Sequence, residues 1–116
     1  MGNNLLAILG VGRGTWGHVS RLIQEEPWDN IVLFGDEFGE DNFELRQENI
    51  KWVMVNKRKS FDTMKEIITE HLIKKNVVVS IISGTGKEHT ALLGALKEAG
   101  IKYKLIILAA DGTQYI

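Results

Sequence analysis

At 116 residues with 44% hydrophobic content and one proline, the chain holds enough apolar material for one compact core and too little for two ordinary domains, so residues 1–116 are expected to form a single domain. A formal charge of −1 provides no global field for nucleic acid or an anionic membrane, so any anion must be held by a local site. The lack of cysteine excludes disulfides and thiolate metal sites, no apolar stretch approaches membrane-spanning length, and Met1-Gly2-Asn3-Asn4 has no basic leader region; the expectation is a cytoplasmic protein.

In chain order, Leu5 to Leu9 is an apolar run ending at Gly10, and Val19, Leu22 and Ile23 then recur at helical spacing until Pro27. Ile31 to Phe34 is a second strand closed by Gly35-Asp36-Glu37, followed by an acidic loop and a short helix around Phe43 to Gln47. Trp52 to Val55 is a third strand. Ser60 is placed to cap a helix whose stripe is Phe61, Met64, Ile67, Ile68 and Leu72. Val77 to Ile82 is rich in β-branched residues and carries no charge, as a strand buried on both faces should. The next helix puts Ala91, Leu92, Ala95, Leu96 and Ala99 on one face before Gly100, and Tyr103 to Leu108 is a fifth strand. Asp111-Gly112 between strand-like residues predicts a terminal hairpin with a short return strand.

Strands alternating with helices predict an α/β fold, a Rossmann-like doubly wound, mainly parallel sheet with helices on both faces and an antiparallel edge strand at the C-terminus. Strand order 3-2-1-4-5 places the topological switch point between strands one and four. The loops there are Gly10 to Gly17 and Ser83 to His89, so one crevice is expected between them.

The second loop, Ser83-Gly84-Thr85-Gly86-Lys87-Glu88-His89, joins a buried strand to a helix start. Gly84 and Gly86 permit close backbone approach, the helix N-terminus offers unpaired N–H groups to an anion, and Lys87 adds a full charge. Thr85-x-x-Glu88 is equally a capping box, which stabilises a helix start without any ligand. A triphosphate P-loop is excluded, because Ile81 stands where its first glycine belongs and Glu88 replaces the Ser or Thr after the lysine.

In the first loop, Gly12-Arg13-Gly14-Thr15-Trp16-Gly17 matches G-x-G-x-x-G, and Asp36 lies 19 residues beyond Gly17 at the end of strand two. That is the dinucleotide-binding pattern, in which glycines admit a pyrophosphate and the acid accepts from a ribose hydroxyl. It begins two residues after the strand has already ended at Gly10. The plainer reading is a tight turn, with Thr15 as N-cap and Trp16 covering the sheet end.

The stretch Val79 to Leu96, Val79-Ser80-Ile81-Ile82-Ser83-Gly84-Thr85-Gly86-Lys87-Glu88-His89-Thr90-Ala91-Leu92-Leu93-Gly94-Ala95-Leu96, resembles the strand-turn-helix of CARF domains, the CRISPR-associated Rossmann-fold sensors of cyclic oligoadenylate. The similarity extends to the glycine loop Gly10 to Trp16 and to a terminal hairpin, Lys104 to Ile116. The resemblance implies a homodimer that cradles a cyclic oligoadenylate, with cyclic tetra-adenylate favoured, at a two-fold pocket in type III CRISPR antiviral signalling. By position it implies ligand contacts from Gly10, Gly12, Gly14, Trp16, Ser83, Gly84, Thr85, Gly86 and His89. Some members also cleave the ring without a metal, and for that chemistry the resemblance implies Lys87, Thr15 and Arg13. No other cofactor is implied. Relatives usually carry a helix-turn-helix or nuclease domain as well, which these residues do not contain.

His18, His71 and His89 are too separated for a metal set. Lys57-Arg58-Lys59 follows strand three, at the ligand-bearing end of the sheet but two strands from the switch point; it reads first as a solvated charge run, with reach toward a large anionic ring or a polynucleotide as the alternative. Two other functions stay open: an NAD(P)-binding domain of a dehydrogenase or regulatory subunit using Gly12, Gly14, Gly17 and Asp36, and a nucleic-acid-associated CRISPR subunit using Lys57 to Lys59, although direct DNA or RNA binding is disfavoured by the net charge.

Overall fold

Every residue from Asn4 to Ile8 is buried, because the strand they form, β1 (Asn3–Ile8), has a parallel neighbour on each side and helices over each face. The computed structural model describes residues 2–116. Its six-stranded sheet runs β3-β2-β1-β4-β5-β6, where β2 is Trp28–Gly35, β3 Ile50–Met54, β4 Val77–Ser80, β5 Tyr103–Ala109 and β6 Gly112–Tyr115. All ladders are parallel except β5 with β6, so the fold is α/β and Rossmann-like with one antiparallel edge pair.

Alternation along β1 splits the core between the faces. Leu6 and Ile8 join Phe34, Val79, Met64, Ile68 and Leu92 beneath α3 (Phe61–Glu70) and α4 (Gly86–Glu98). Leu5, Ala7 and Leu9 join Val19, Leu22, Ile23 and Leu33 beneath α1 (Trp16–Glu25). Each fully buried Leu, Ile, Val, Phe or Met among them stabilises the fold by about 1.5–3 kcal/mol.

Three local expectations are corrected. The helix after β2 is not around Phe43 to Gln47 but is α2 (Glu37–Asn42), since the Asp36 carboxylate accepts from Gly39 N at 2.8 Å and caps it there. Phe43 ends that helix with extended backbone and buries its ring between Trp16 and Trp52. β4 stops at Ser80, short of Ile82; Ile81 and Ile82 still pack on opposite faces, so the apolar pattern tracked burial beyond the end of the hydrogen-bonded ladder. The terminal hairpin turns on Ala110-Asp111 and not on Asp111-Gly112; Gly112 pairs with Ala109 and takes a φ of +124° that disfavours any side chain.

Candidate functional site at the switch point

The loops following β1 and β4 meet at the carboxyl end of the sheet. Gly10 N donates to Ser83 Oγ at 2.8 Å, and Thr15 Oγ1 donates to the same oxygen at 2.7 Å. Ser83 is therefore the joint between them, and it is buried. The approach is close enough that a Cβ on Gly10 would stand 2.8 Å from Gly84 N, and a Cβ on Gly84 would collide with Ile8. Gly84 also has φ +103°, a conformation other residues adopt only with strain.

The crevice left above this joint has a volume of about 320 Å³ and is lined by Gly10, Val11, Gly12, Gly14 and Thr15 of the first loop, by Ile82, Gly84, Thr85 and Glu88, and by Lys57. Gly12 and Gly14 have negative φ, and nothing lies within 4 Å of where their Cβ atoms would be. Neither backbone conformation nor packing requires glycine at these two positions.

The floor is the start of α4. Thr85 Oγ1 accepts from Glu88 N at 3.3 Å, and Glu88 Oε1 accepts from Thr85 N at 2.9 Å and from Thr85 Oγ1 at 3.1 Å. This is the capping box, closed from both sides. It carries a carboxylate only 5% exposed into the crevice wall. Lys57 and Glu88 are the only charged residues in the lining.

Of the residues singled out by sequence, Gly10, Gly12, Gly14, Thr15, Gly84 and Thr85 line the crevice and Ser83 ties it together. Thr15 stands at the N-cap of α1 but makes no cap hydrogen bond, its hydroxyl being engaged by Ser83. The others are turned elsewhere. Lys87 Nζ donates to the carbonyl oxygens of Lys59, at 2.5 Å, and Lys57, at 3.3 Å. The Arg13 guanidinium lies 5.5 Å from the ring centre of Trp16 and 5.2 Å from that of Phe38, and donates to Asn42 Oδ1. Trp16 is buried, with Nε1 donating to Gly10 O at 2.8 Å, so it supports the glycine loop from beneath. His89 Nε2 lies 2.7 Å from Ser83 O; a carbonyl only accepts, so that nitrogen carries the proton. Gly86 begins α4 outside the lining.

Lys57-Arg58-Lys59 reads first as solvated charge, yet Lys57 is the one basic residue that lines the crevice. The run Lys57-Arg58-Lys59 marked positive charge at the right end of the sheet, and the fastening by Lys87 that brings its loop across had no trace in residue spacing. Among the described residues, no group of three or more His, Asp or Glu is placed to hold a metal ion, and no helix is long and apolar enough to cross a membrane. No protein-family model and no curated protein matches the chain.

Proposed function

We propose that the chain is a ligand-binding domain of the CARF type, which takes a cyclic oligoadenylate, cyclic tetra-adenylate in the first instance, at the switch-point crevice. The observation that carries this reading is the pair Gly12 and Gly14: they face an open crevice at positions where the fold itself tolerates a side chain, so the space left by their missing Cβ atoms serves close approach of a ligand backbone. The amino end of α4 and Lys57 favour negative charge in that ligand. A crevice of about 320 Å³ is small for a four-nucleotide ring, which supports two crevices joined across a symmetric homodimer.

In this assignment Lys57 meets a phosphate, Thr15 offers its hydroxyl, and Lys87 acts as a positioning residue through the loop it holds. Ring cleavage would be assisted by Lys57 in place of Lys87: a ribose 2′-hydroxyl loses its proton and attacks the adjacent phosphorus, the bond from phosphorus to the 5′-oxygen breaks to leave a 2′,3′-cyclic phosphate and a 5′-hydroxyl, and the ammonium stabilises the negative charge that builds on the non-bridging oxygens. A second reading, nicotinamide dinucleotide binding, is favoured by Asp36 lining a neighbouring cavity; one of its oxygens, however, is already engaged by Gly39 N. Thermal-shift titration with cyclic tetra-adenylate, cyclic hexa-adenylate, NAD and NADP separates the two, since a ligand of the native state raises the melting temperature. A shift with a dinucleotide alone would replace the first reading by the second.

A further inference from the structure

Val11, Phe38 and Met54 are large apolar residues between 43% and 46% exposed, and they come from three separate elements: the loop after β1, α2 and the end of β3. All three line a single cavity of about 490 Å³. Water-facing apolar side chains scattered singly need no explanation, but a gathering of them in one concavity marks a surface that something covers. This cavity adjoins the switch-point crevice, for Val11 and Lys57 line both. Its remaining charges balance, with Asp36 and Glu37 opposite Lys57 and Arg58. An uncharged, flat, apolar-faced group is therefore suited to it, and one covalently joined to a phosphate in the next cavity would reach it past Lys57.

We propose that the cavity walled by Val11, Phe38 and Met54 is a nucleobase subsite, in which a purine ring lies against the Phe38 ring and the Met54 thioether while its phosphate occupies the crevice at Gly84. The assignment rests on the ligand reading given above and adds to it the place of the base. Phe38 is already braced for stacking: its ring stands 5.9 Å from that of Trp16, and the Arg13 guanidinium covers it from one side. Aromatic stacking and sulfur–arene contacts recognise any purine face, and the polar rim of Asp36 and Asn56 supplies hydrogen-bonding groups for the ring edge.

The test uses the full chain with methyl-labelled methionine and amide-labelled backbone, titrated with cyclic tetra-adenylate. Its three methionines are Met1, Met54 and Met64, and Met64 is fully buried in the core, which makes it an internal control. The expected result is a ring-current shift of the Met54 methyl together with a shift of the Gly84 amide, while Met64 stays in place. Met54→Ala and Phe38→Ala should each weaken binding on the order of tenfold; Met54→Ala removes no core residue and so guards against a folding artefact. A Gly84 shift with a stationary Met54 methyl, or unchanged affinity in both variants, overturns the base subsite alone. A Met54 shift that follows protein concentration without ligand assigns the patch to a second copy of the chain and also overturns it. If neither Gly84 nor Met54 responds, the ligand reading itself fails and the subsite falls with it.

Discussion

Lys87 and Lys59 are joined end to backbone: the Lys87 ammonium donates to the Lys59 carbonyl at 2.5 Å, fastening the loop after β3 to the start of α4. The turn's own lysine thus spends its hydrogen bonds on a neighbouring loop, and that loop delivers Lys57 to the crevice. Lys57→Met should lower affinity for cyclic tetra-adenylate by roughly ten- to a hundredfold, the worth of one charge-assisted hydrogen bond. Lys87→Met should lower it less, and should raise amide exchange at residues 57–60 even without ligand. Unchanged exchange in that loop would remove the positioning role, whatever the affinity does.

The glycines separate fold from site. Gly84→Ala should cost about 2–4 kcal/mol in urea unfolding, from positive φ and the collision with Ile8 together. Gly12→Ala and Gly14→Ala should leave the unfolding midpoint nearly in place, because their Cβ positions are empty, and should reduce ligand affinity sharply. Full affinity in both alanine variants would mean that no ligand approaches that loop closely.

Glu88 sets a limit on how well the crevice receives an anion. Glu88→Gln preserves an oxygen acceptor for Thr85 N and deletes the negative charge from the wall, so affinity for an anionic ligand should rise, by about 1 kcal/mol or roughly fivefold. Thr85→Ala should instead cost about 1 kcal/mol of stability through the lost cap. Isothermal titration and denaturant melts on the two variants measure these separately, and a fall in affinity for Glu88→Gln would count against an anionic group near α4.

A pH dependence is expected at the other edge of the sheet. Partial burial and then the hydrogen bond from Tyr115 Oη to Glu26, 3.0 Å long, raise the Tyr115 pKa above its ordinary value of 10.0. A phenol easier to ionise in the unfolded chain stabilises the fold fully below that ordinary value and loses the contribution as pH climbs through the folded one. Stability should therefore decline with rising pH on the alkaline side of 10.0, and Tyr115→Phe should flatten the decline. An unaltered alkaline profile in the variant would show that Tyr115 does not contribute.

The doubly wound order was legible because each signal was local: short apolar runs for the strands, β-branched in Val77 to Ile82, stripes at helical spacing for α1, α3 and α4, and glycine at the strand ends. Thr85 and Glu88 could be paired from spacing alone, since a capping box is a contact across three residues. What spacing could not carry was direction among neighbours. Lys87 and Arg13 sit beside the crevice in sequence, yet the first finds carbonyl acceptors in the loop after β3 and the second finds two aromatic rings, both brought near only by the finished packing. Lys57 likewise comes to line the crevice only through the finished packing of the loop after β3. The helix expected around Phe43 to Gln47 lies earlier, at α2, because Asp36 caps it there by one hydrogen bond from Gly39 N.

The bond between Gly10 and Ser83 has a consequence in time. It links residues 73 apart, and β1 must also align with β4 before the two loops can face each other. Closing so large a loop has little enthalpic return until most of the chain is in place, so contacts of this kind form late in folding. The helix pair α3 and α4 can associate while the crevice is still absent. A nascent or partly folded chain would thus hold its helices and lack the pocket, and ligand capture during refolding should lag behind the recovery of helical signal.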